Sequence, residues 1–381
     1  MLPAQDDQLW TRLAADLHRL SPSLQVVARY CLANAPDLHR HRIKDVVGTC
    51  GATPVAVVRL AKRYGFHGFK DFKLGFLAPA AGSPASPWVT ASQAGRPAFK
   101  GKPFVLALSC ADQAGIVQAV CDLLLQHGAN IEEAAQYHDP GSQLFFMRVQ
   151  FACEECRGEA VAEALQALAS NGSMHIQLHR AGRKIPAFIL VSQHGHCMHE
   201  LLFRWRSGLL PIDIKGIIST HRDFNQLAAS HHIPFHHIPV SAANPMVAEA
   251  RQLEILHAAG TELVVLAGYR QVLSDSMCRA LAGRAINIHH SFLTSFNGAR
   301  PYHQAHDRGV KLIGATAHYV TSELGEGPII EQDIARADHA MTPERLAALG
   351  RDTESQVLAR AVQWHAEQRV LINGRRTVVF R

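Results

Sequence analysis

Hydrophobic and polar positions follow three different patterns along the chain. Residues 1–77 space their apolar side chains at helical intervals, residues 103–182 mix strand-like and helical runs, and residues 183–381 repeat strand and helix several times. Residues 78–102 are rich in Ala, Gly, Ser and Pro and are predicted to be a flexible linker. The pattern predicts a multidomain fold: an all-α bundle, a ferredoxin-like α+β domain, and an α/β domain with a mostly parallel sheet.

The helical front contains a turn that separates two short helices. Gly51 interrupts the helical period, and Thr53 followed by Pro54 is a typical helix start, with an N-cap residue and a proline at the first helical position. A helix, a glycine-containing turn and a second helix predict a helix-turn-helix.

The rest of the chain predicts two sheets. Strands are predicted at Phe104–Cys110, Asn130–Glu132 and Leu144–Phe151, with one helix ending near Gly128 and another over about 160–169. They predict the order strand, helix, strand, strand, helix, strand. Further strands are predicted at Phe188–Val191, Ile214–Ile218, Phe235–Val240, Leu263–Ala267 and Ala285–Ile288. Because helices separate these later strands, we expect a mostly parallel sheet that binds ligands at the carboxyl ends of its strands.

One strand end carries the clearest chemistry. Asn287 and His289 are two residues apart, so at strand period both side chains point to the same face. An amide can polarise a carbonyl oxygen and an imidazole can move a proton. The pair therefore predicts one part of a catalytic site.

Composition narrows the class of protein. Nearly half the residues are apolar, and no stretch approaches the about 20 apolar residues of a membrane span. Eight cysteines scattered through apparently structured segments suit reduced thiols, so we expect a cytoplasmic protein without a membrane partner. The lone CxxC at Cys153–Cys156 leaves open a metal or redox site and a plain acidic loop.

Charge is unevenly distributed. Residues 1–77 carry eleven Lys or Arg against six Asp or Glu, whereas the net charge of the whole chain is +6. A basic front on a slightly acidic body is typical of a module that binds a polyanion.

The basic front resembles the DNA-binding domain of the RpiR family of bacterial regulators. The resemblance rests on Leu20–Pro22, Ile43–Asp45, Val57–Phe66 and Gly68–Lys70. It implies a recognition helix over 53–64 that contacts DNA through Thr53, Arg59, Lys62 and Arg63. The family's usual sugar-phosphate sensor domain does not follow, and a bundle that no longer binds DNA is the alternative.

The middle region resembles an ACT domain. Asp112–Val117 and Gly128–Ile131 carry the resemblance. It implies an amino-acid effector near Asp112, Gly115 and Asn130, although many such domains only pair with one another. Pairing predicts a homo-oligomer, a dimer or a tetramer, whose symmetry would suit a palindromic DNA site.

Residues 104–380 resemble the formyltetrahydrofolate deformylase family, which combines an ACT domain with a formyltransferase-type domain. The resemblance rests on many segments, among them Leu202–Gly208, Ile286–Phe292, Gly298–Ala305, Arg308–Thr321 and Glu326–Asp333. It implies hydrolysis of 10-formyltetrahydrofolate to tetrahydrofolate and formate, in one-carbon metabolism and purine biosynthesis, without a tightly bound cofactor or metal. Folate binding is implied for two loops, Arg270, Gln271, Val272, Leu273 and Thr321, Ser322, Glu323, Leu324. His290 and His318 are plausible supporting residues.

The resemblance departs from the family at one decisive position. The family places an Asp where this chain has Gly325, and glycine cannot orient an imidazole or balance its charge. Glu326 is the possible substitute carboxylate. Three readings remain open: a deformylase, with or without impaired turnover; a DNA-binding regulator that uses a degenerate enzyme body as sensor; and an enzyme that passes the formyl group to an acceptor other than water.

Overall fold

The computed structural model describes residues 9–34, 38, 41–66, 68–74, 101–154, 157–172, 174–241, 244–289, 301–323 and 325–381. The chain forms two compact units, residues 1–96 and 97–381. Most of the predicted linker lies outside the described residues. None of the described helices combines the length and apolar character that crossing a bilayer requires.

The first unit is helical. Its helices are α1 (Leu9–Asp16), α2 (Pro22–Ala33), α3 (Ile43–Cys50), α4 (Pro54–Arg63) and α5 (Phe69–Leu74). Gly51 ends α3 with φ 66°, a left-handed conformation that glycine adopts without steric cost. The Thr53 hydroxyl accepts the Ala56 N–H at 3.3 Å and caps α4. The predicted helix, turn and helix are therefore present.

The second unit begins with a four-stranded antiparallel sheet. Its elements are β1 (Lys102–Ala111), α6 (Ile116–Gln126), β2 (Asn130–Asp139), β3 (Leu144–Cys153), α7 (Gly158–Gly172) and β4 (His175–Arg180). The strand order is β2-β3-β1-β4, as in a ferredoxin-like unit. Leu106 and Leu108 pack with Val120 and Leu165 of the two helices. The intervening residues of β1 face the other side of the sheet, because side chains alternate along a strand.

A seven-stranded sheet follows. Its elements are β5 (Ile185–Val191), α8 (His196–Arg206), β6 (Ile212–Ser219), α9 (Asn225–Ser230), β7 (Phe235–His237), α10 (Pro245–Ala258), β8 (Leu263–Leu266), α11 (Asp275–Ala280), β9 (Ala285–His289), α12 (Pro301–Asp307), β10 (Leu312–Tyr319), β11 (Ile329–Arg336) and α13 (Pro343–Ala366). Strands β5 to β9 are parallel, whereas β10 is antiparallel to both β9 and β11. The predicted mostly parallel sheet is confirmed. β7 ends at His237, short of the predicted Val240, because Pro239 has no N–H for the sheet.

A hairpin of β12 (Val370–Asn373) and β13 (Arg376–Val379) joins the two sheets. Leu371 and Phe380 of this region pack with Ala107 and Phe146 on the helix-free face of the four-stranded sheet. The Asp139 carboxylate accepts hydrogen bonds from Asn373 at 2.6 Å and Arg376 at 2.7 Å. Hydrogen bonds from Ser142 and Asn373 lower the pKa of Asp139 to about 2.

Candidate active site

A cavity of about 810 Å³ lies at the carboxyl ends of β5, β8 and β9. We call it the strand-end cavity. Its walls come from the loop before α8, the loop after β8, the end of β9, the loop after β10 and the first turns of α13. Parallel strands converge at this edge of the sheet, which is where the sequence predicts a ligand site.

Asn287 is oriented by a histidine on the neighbouring strand. Asn287 and His318 are direct partners between β9 and β10. His318 Nδ1 lies 2.9 Å from the Tyr319 carbonyl oxygen, so Nδ1 carries the hydrogen and Nε2 keeps its lone pair. That lone pair faces the Asn287 amide nitrogen at 3.4 Å. The other amide hydrogen of Asn287 remains for an acceptor in the cavity.

His318 stays neutral in this environment. The side chain is buried, and burial lowers its pKa because the charged form is poorly solvated. A neutral ring is the state that can accept from Asn287. The supporting role expected for His318 therefore has a specific geometry, whereas His290 lies outside the described residues.

His289 completes the predicted pair. It ends β9, stands opposite Thr316 of β10, and lines the cavity together with Asn287. The strand period therefore brings the amide and the imidazole to one wall, as their spacing in the sequence predicts.

Gly325 also lines the cavity, and it has room for a side chain. Apart from its chain neighbours, no atom of the described residues lies within 4 Å of an ideal Cβ built on it, but its φ is +75°. Residues other than glycine rarely adopt this conformation, and Asn and Asp tolerate it best. Space therefore does not exclude a carboxylate here, although the backbone penalises it.

The neighbouring glutamates are bound to an arginine. Glu326 forms an ion pair with Arg375, and Glu323 lies 3.3 Å from the same guanidinium. Glu323 lines the cavity, whereas Glu326 is not among the described residues that do. The geometry does not bring the substitute carboxylate named from the sequence to the cavity wall.

Both expected folate loops contribute to the wall. The described lining residues from these loops are Arg270, Gln271, Val272, Leu273, Thr321, Ser322 and Glu323; Leu324 lies outside the described residues. The Arg270 N–H donates to the Ser192 hydroxyl at 3.2 Å, and the Thr321 hydroxyl donates to the Glu323 carbonyl at 3.1 Å. These bonds hold the loops in shape.

Sequence reasoning missed a polar network in the same cavity. Glu354 of α13 binds His196 Nε2 at 2.7 Å and the Tyr302 hydroxyl at 3.0 Å. Burial and the adjacent Glu354 carboxylate raise the pKa of Tyr302, so it remains a donor. The three residues are far apart in sequence and follow no motif. The only signal for this network is Glu354 itself, an acidic residue at a buried position of α13.

The same region contains a possible ligand set for a metal ion. Donor atoms of His196, Cys197 and Glu354 lie within 4.8 Å of one another. Burial raises the pKa of the Cys197 thiol, which opposes the thiolate that a metal needs. Glu354 is already satisfied by its two partners, so a hydrogen-bonded network describes the three residues better.

The cavity wall also carries positive charge. Arg270 and Arg351 line it, and neither forms an ion pair within the described part of the chain. Burial, with these two arginines adding to it, lowers the pKa of the neighbouring His194. An anionic part of a ligand would find favourable electrostatics here.

The other predicted sites lie elsewhere. Asp112 and Gly115 lie between β1 and α6, Asp112 pairs with His138 at 3.0 Å, and Asn130 opens β2. In the helical unit, the Thr53 hydroxyl is occupied as the cap of α4. The three predicted DNA-contacting basic residues of α4, Arg59, Lys62 and Arg63, are all exposed.

The second unit is similar to known formyl-group enzymes. Residues 186–362 match the formyl transferase family. The formyltetrahydrofolate deformylase of Corynebacterium sp. (strain P-1) is 49% identical over 284 residues, which cover 73% of this chain and 98% of that protein. The protein of the same name from Bacillus subtilis (strain 168) is 45% identical over 278 residues, 72% of this chain and 93% of that protein.

Solved structures agree with these matches. The formyltetrahydrofolate deformylase of Burkholderia mallei ATCC 23344 is 49% identical with a TM-score of 0.72, covering 74% of this chain and 100% of that one. Glycinamide ribonucleotide transformylase 1 from Symbiobacterium toebii is 32% identical with a TM-score of 0.50, covering 54% of this chain and 98% of that one. The chain belongs to the formyltetrahydrofolate deformylase family, a family of hydrolases.

Proposed function

We propose that the strand-end cavity hydrolyses 10-formyltetrahydrofolate to tetrahydrofolate and formate. The observation that carries the proposal is the Asn287 amide, held by neutral His318 and placed beside His289 at the edge where a substrate binds. The names of the relatives support the same substrate.

Each residue has a role in this reaction. Asn287 donates a hydrogen bond to the formyl oxygen as negative charge develops on it. Water attacks the formyl carbon while His289 takes its proton, and the proton then goes to N10 as the carbon–nitrogen bond breaks. The products are formate and tetrahydrofolate. Backbone groups of the described loops 270–273 and 321–323 would hold the pterin, and Arg351 would attract a carboxylate of the folate.

Gly325 affects the rate of this reaction, because a glycine supplies no carboxylate to assist His289. Loss of one member of a cooperating catalytic group commonly reduces the rate by several powers of ten. We propose that turnover is impaired unless a neighbouring carboxylate takes the role. Glu323 already lines the cavity, whereas Glu326 would first have to leave Arg375.

Formate release by the purified full chain tests the proposal. The natural protein is compared with Gly325→Asp, Glu323→Gln, Glu326→Gln and Asn287→Ala. We expect slow turnover, faster turnover in Gly325→Asp, and loss in Asn287→Ala. No turnover in the natural protein together with clear turnover in Gly325→Asp would exclude deformylase activity for the natural chain. Turnover abolished by Glu326→Gln would identify that residue as the relocated carboxylate.

The assay also separates water from another acceptor. The similarity to glycinamide ribonucleotide transformylase favours transfer to an amine as the alternative reaction. Tetrahydrofolate formed without formate, and only when an amine is added, would identify such a transferase.

The helical unit supports a second candidate function, DNA binding. The observation that favours it is the exposed basic face of α4, with Arg59 in the middle of the helix and Lys62 and Arg63 in its last turn. We propose that residues 1–77 bind DNA and that the enzyme body senses folate, or an amino acid near Asp112, in a dimer or tetramer. Selection from a genomic DNA library should recover fragments that the natural protein retards and Arg59→Ala does not. No recovered fragment would exclude the regulator.

A further inference from the structure

The hairpin of β12 and β13 has a tight turn at its tip. Asn373 of β12 and Arg376 of β13 are opposite each other, so Gly374 and Arg375 form the turn between them. Gly374 has φ +59°, a left-handed conformation that glycine adopts without steric cost. Arg375 is therefore the one long side chain of the turn.

Both residues that flank this turn are bonded to the four-stranded sheet. Asn373 and Arg376 donate to the same atom, Asp139 Oδ2, at 2.6 Å and 2.7 Å. The Ser142 hydroxyl also donates to that oxygen at 2.7 Å, and the Asp139 side chain is only 4% exposed. Hydrogen bonds to an ionised carboxylate are about twice as strong as bonds between neutral groups. The four-stranded sheet therefore fixes the position of the turn.

Arg375 extends from this turn to the loop after β10. Its guanidinium forms ion pairs with Glu326 and, at 3.3 Å, with Glu323. Glu323 lines the strand-end cavity, next to Thr321 and Ser322, which line it too. Arg375 itself is not among the described lining residues, so its effect on a ligand passes through this loop.

Hydrogen bonds inside the loop connect the paired carboxylates to the cavity side. The Glu323 carbonyl oxygen accepts the Thr321 hydroxyl at 3.1 Å and the Glu326 N–H at 3.2 Å. At the base of the loop, the Tyr319 N–H donates to the Pro328 carbonyl oxygen at 2.9 Å. The sheet therefore holds the base of the loop, and a cation that binds both glutamates restrains its tip.

We propose that Arg375 is a positioning residue for folate binding, which holds the loop after β10 in its ligand-binding conformation from a turn anchored by Asp139. The inference rests on the proposed function, because it assigns a role within the same substrate site. The side chains of Arg375, Glu323 and Glu326 are 72%, 66% and 57% exposed, and exposed ion pairs are individually weak. Arg375 therefore changes the affinity for folate by a few fold and contributes little to the stability of the fold.

Binding of 5-formyltetrahydrofolate, a stable isomer of the proposed substrate, tests this role without turnover. Isothermal titration compares the natural full chain with Arg375→Ala and Arg375→Lys. Arg251→Ala is the matched control, because Arg251 is an exposed arginine that pairs with Glu254 on α10, away from the described cavity lining. We expect about three- to fivefold weaker binding in Arg375→Ala, at most about twofold weaker binding in Arg375→Lys, and unchanged binding in Arg251→Ala.

The formate assay gives a second measurement of the same role. When the chemical step is slow, KM approximates the dissociation constant of the substrate. Arg375→Ala should therefore raise KM by about three- to fivefold and leave kcat within about twofold, whereas partial loss of folded protein would lower kcat and leave KM unchanged.

A double-mutant comparison tests the anchor. Asp139→Asn weakens the bonds that hold the turn, so it should weaken binding in the natural protein. It should have no further effect in the Arg375→Ala background, because both changes act on one contact. Effects that multiply would show that Asp139 and Arg375 act independently and would exclude the anchored turn.

Three other outcomes would overturn the proposal. Equal binding by the natural protein and Arg375→Ala would exclude the positioning role and leave the deformylase function intact. A higher kcat in Arg375→Ala would show that Arg375 restrains a catalytic carboxylate instead of positioning the loop. No binding of 5-formyltetrahydrofolate by the natural protein would remove the proposed function and this inference together.

Discussion

The strand-end cavity and a cavity of about 200 Å³ between the two sheets of the second unit, the inter-sheet cavity, share α13 but differ in chemistry. The first presents an amide and imidazoles, with Asn287 oriented by a neutral histidine. The second is lined by guanidinium groups, of which Arg148, Arg183 and Arg369 are paired with carboxylates. A reacting carbonyl needs donors of fixed orientation, whereas guanidinium groups paired with carboxylates hold neighbouring elements together. The comparison teaches that one unit separates these two kinds of polar chemistry in space.

The largest expected effect concerns the strand-end cavity alone. Asn287→Ala should reduce formate release by about 10²- to 10³-fold, as expected for loss of one donor to a developing oxyanion. The fold should persist, which circular dichroism will check. His175→Phe, remote from the reacting groups, is the control. A loss of less than threefold in Asn287→Ala would show that Asn287 does not stabilise the oxyanion. The chemical difference between the two cavities would then not hold.

The next largest expected effect concerns a buried histidine in the core between the two cavities. His365, in the last turn of α13, accepts the Tyr319 hydroxyl at 2.7 Å, and burial lowers the pKa of His365 to about 4. Between about pH 6.5 and pH 4 the unfolded chain binds the proton and the folded chain does not, so stability falls as pH falls. We expect a loss of at most about 3 kcal/mol in the free energy of unfolding, measured by urea denaturation. His365→Asn should flatten this pH dependence; an unchanged slope would contradict the assignment.

A smaller effect tests whether the strand-end cavity depends on its buried network. Glu354→Gln keeps the shape but weakens the bonds to His196 and Tyr302. We expect a loss of about 1–2 kcal/mol and a fall of several degrees in Tm, measured by thermal denaturation. Glu344→Gln, an exposed residue of the same cavity, should change Tm by less than a degree. Equal shifts in both variants would show that the network does not contribute to stability.

The smallest expected effect concerns the backbone conformation of Gly325, the position where the family resemblance implies a carboxylate. Gly325→Ala should destabilise the protein by about 1 kcal/mol, because φ is +75° although space is available. Gly325→Asn should cost less, since asparagine tolerates this conformation. Denaturant unfolding of the two variants side by side measures the difference, and the reverse order would show that side-chain space dominates.

Local pattern predicted much of the fold. Local spacing identified β1 and β3 of the four-stranded sheet and the five parallel strands β5 to β9 of the other, whereas β10 and β11 were not predicted. Thr53–Pro54 marked the start of α4. The spacing of Asn287 and His289 placed both on one cavity wall. These successes share a cause: the information lies within a few neighbouring residues.

Long-range contacts were not predictable in the same way. The pairing of Glu326 with Arg375 joins residues 49 apart in sequence, and it leaves the expected substitute carboxylate outside the described cavity lining. Glu354 meets His196 across 158 residues. No local pattern encodes such contacts, because they depend on how complete elements pack.

The sequence by itself determined the order of the elements as far as β9 and the strand end with its amide and imidazole, and the family resemblance added the expectation that Gly325 replaces a carboxylate. Only the tertiary structure decided the orientation of Asn287 by His318, the Glu354 network and the existence of the inter-sheet cavity. The physical reason is distance along the chain. Periodicity and capping act between neighbours, whereas burial, register and ion pairing act between segments that meet only in the folded protein.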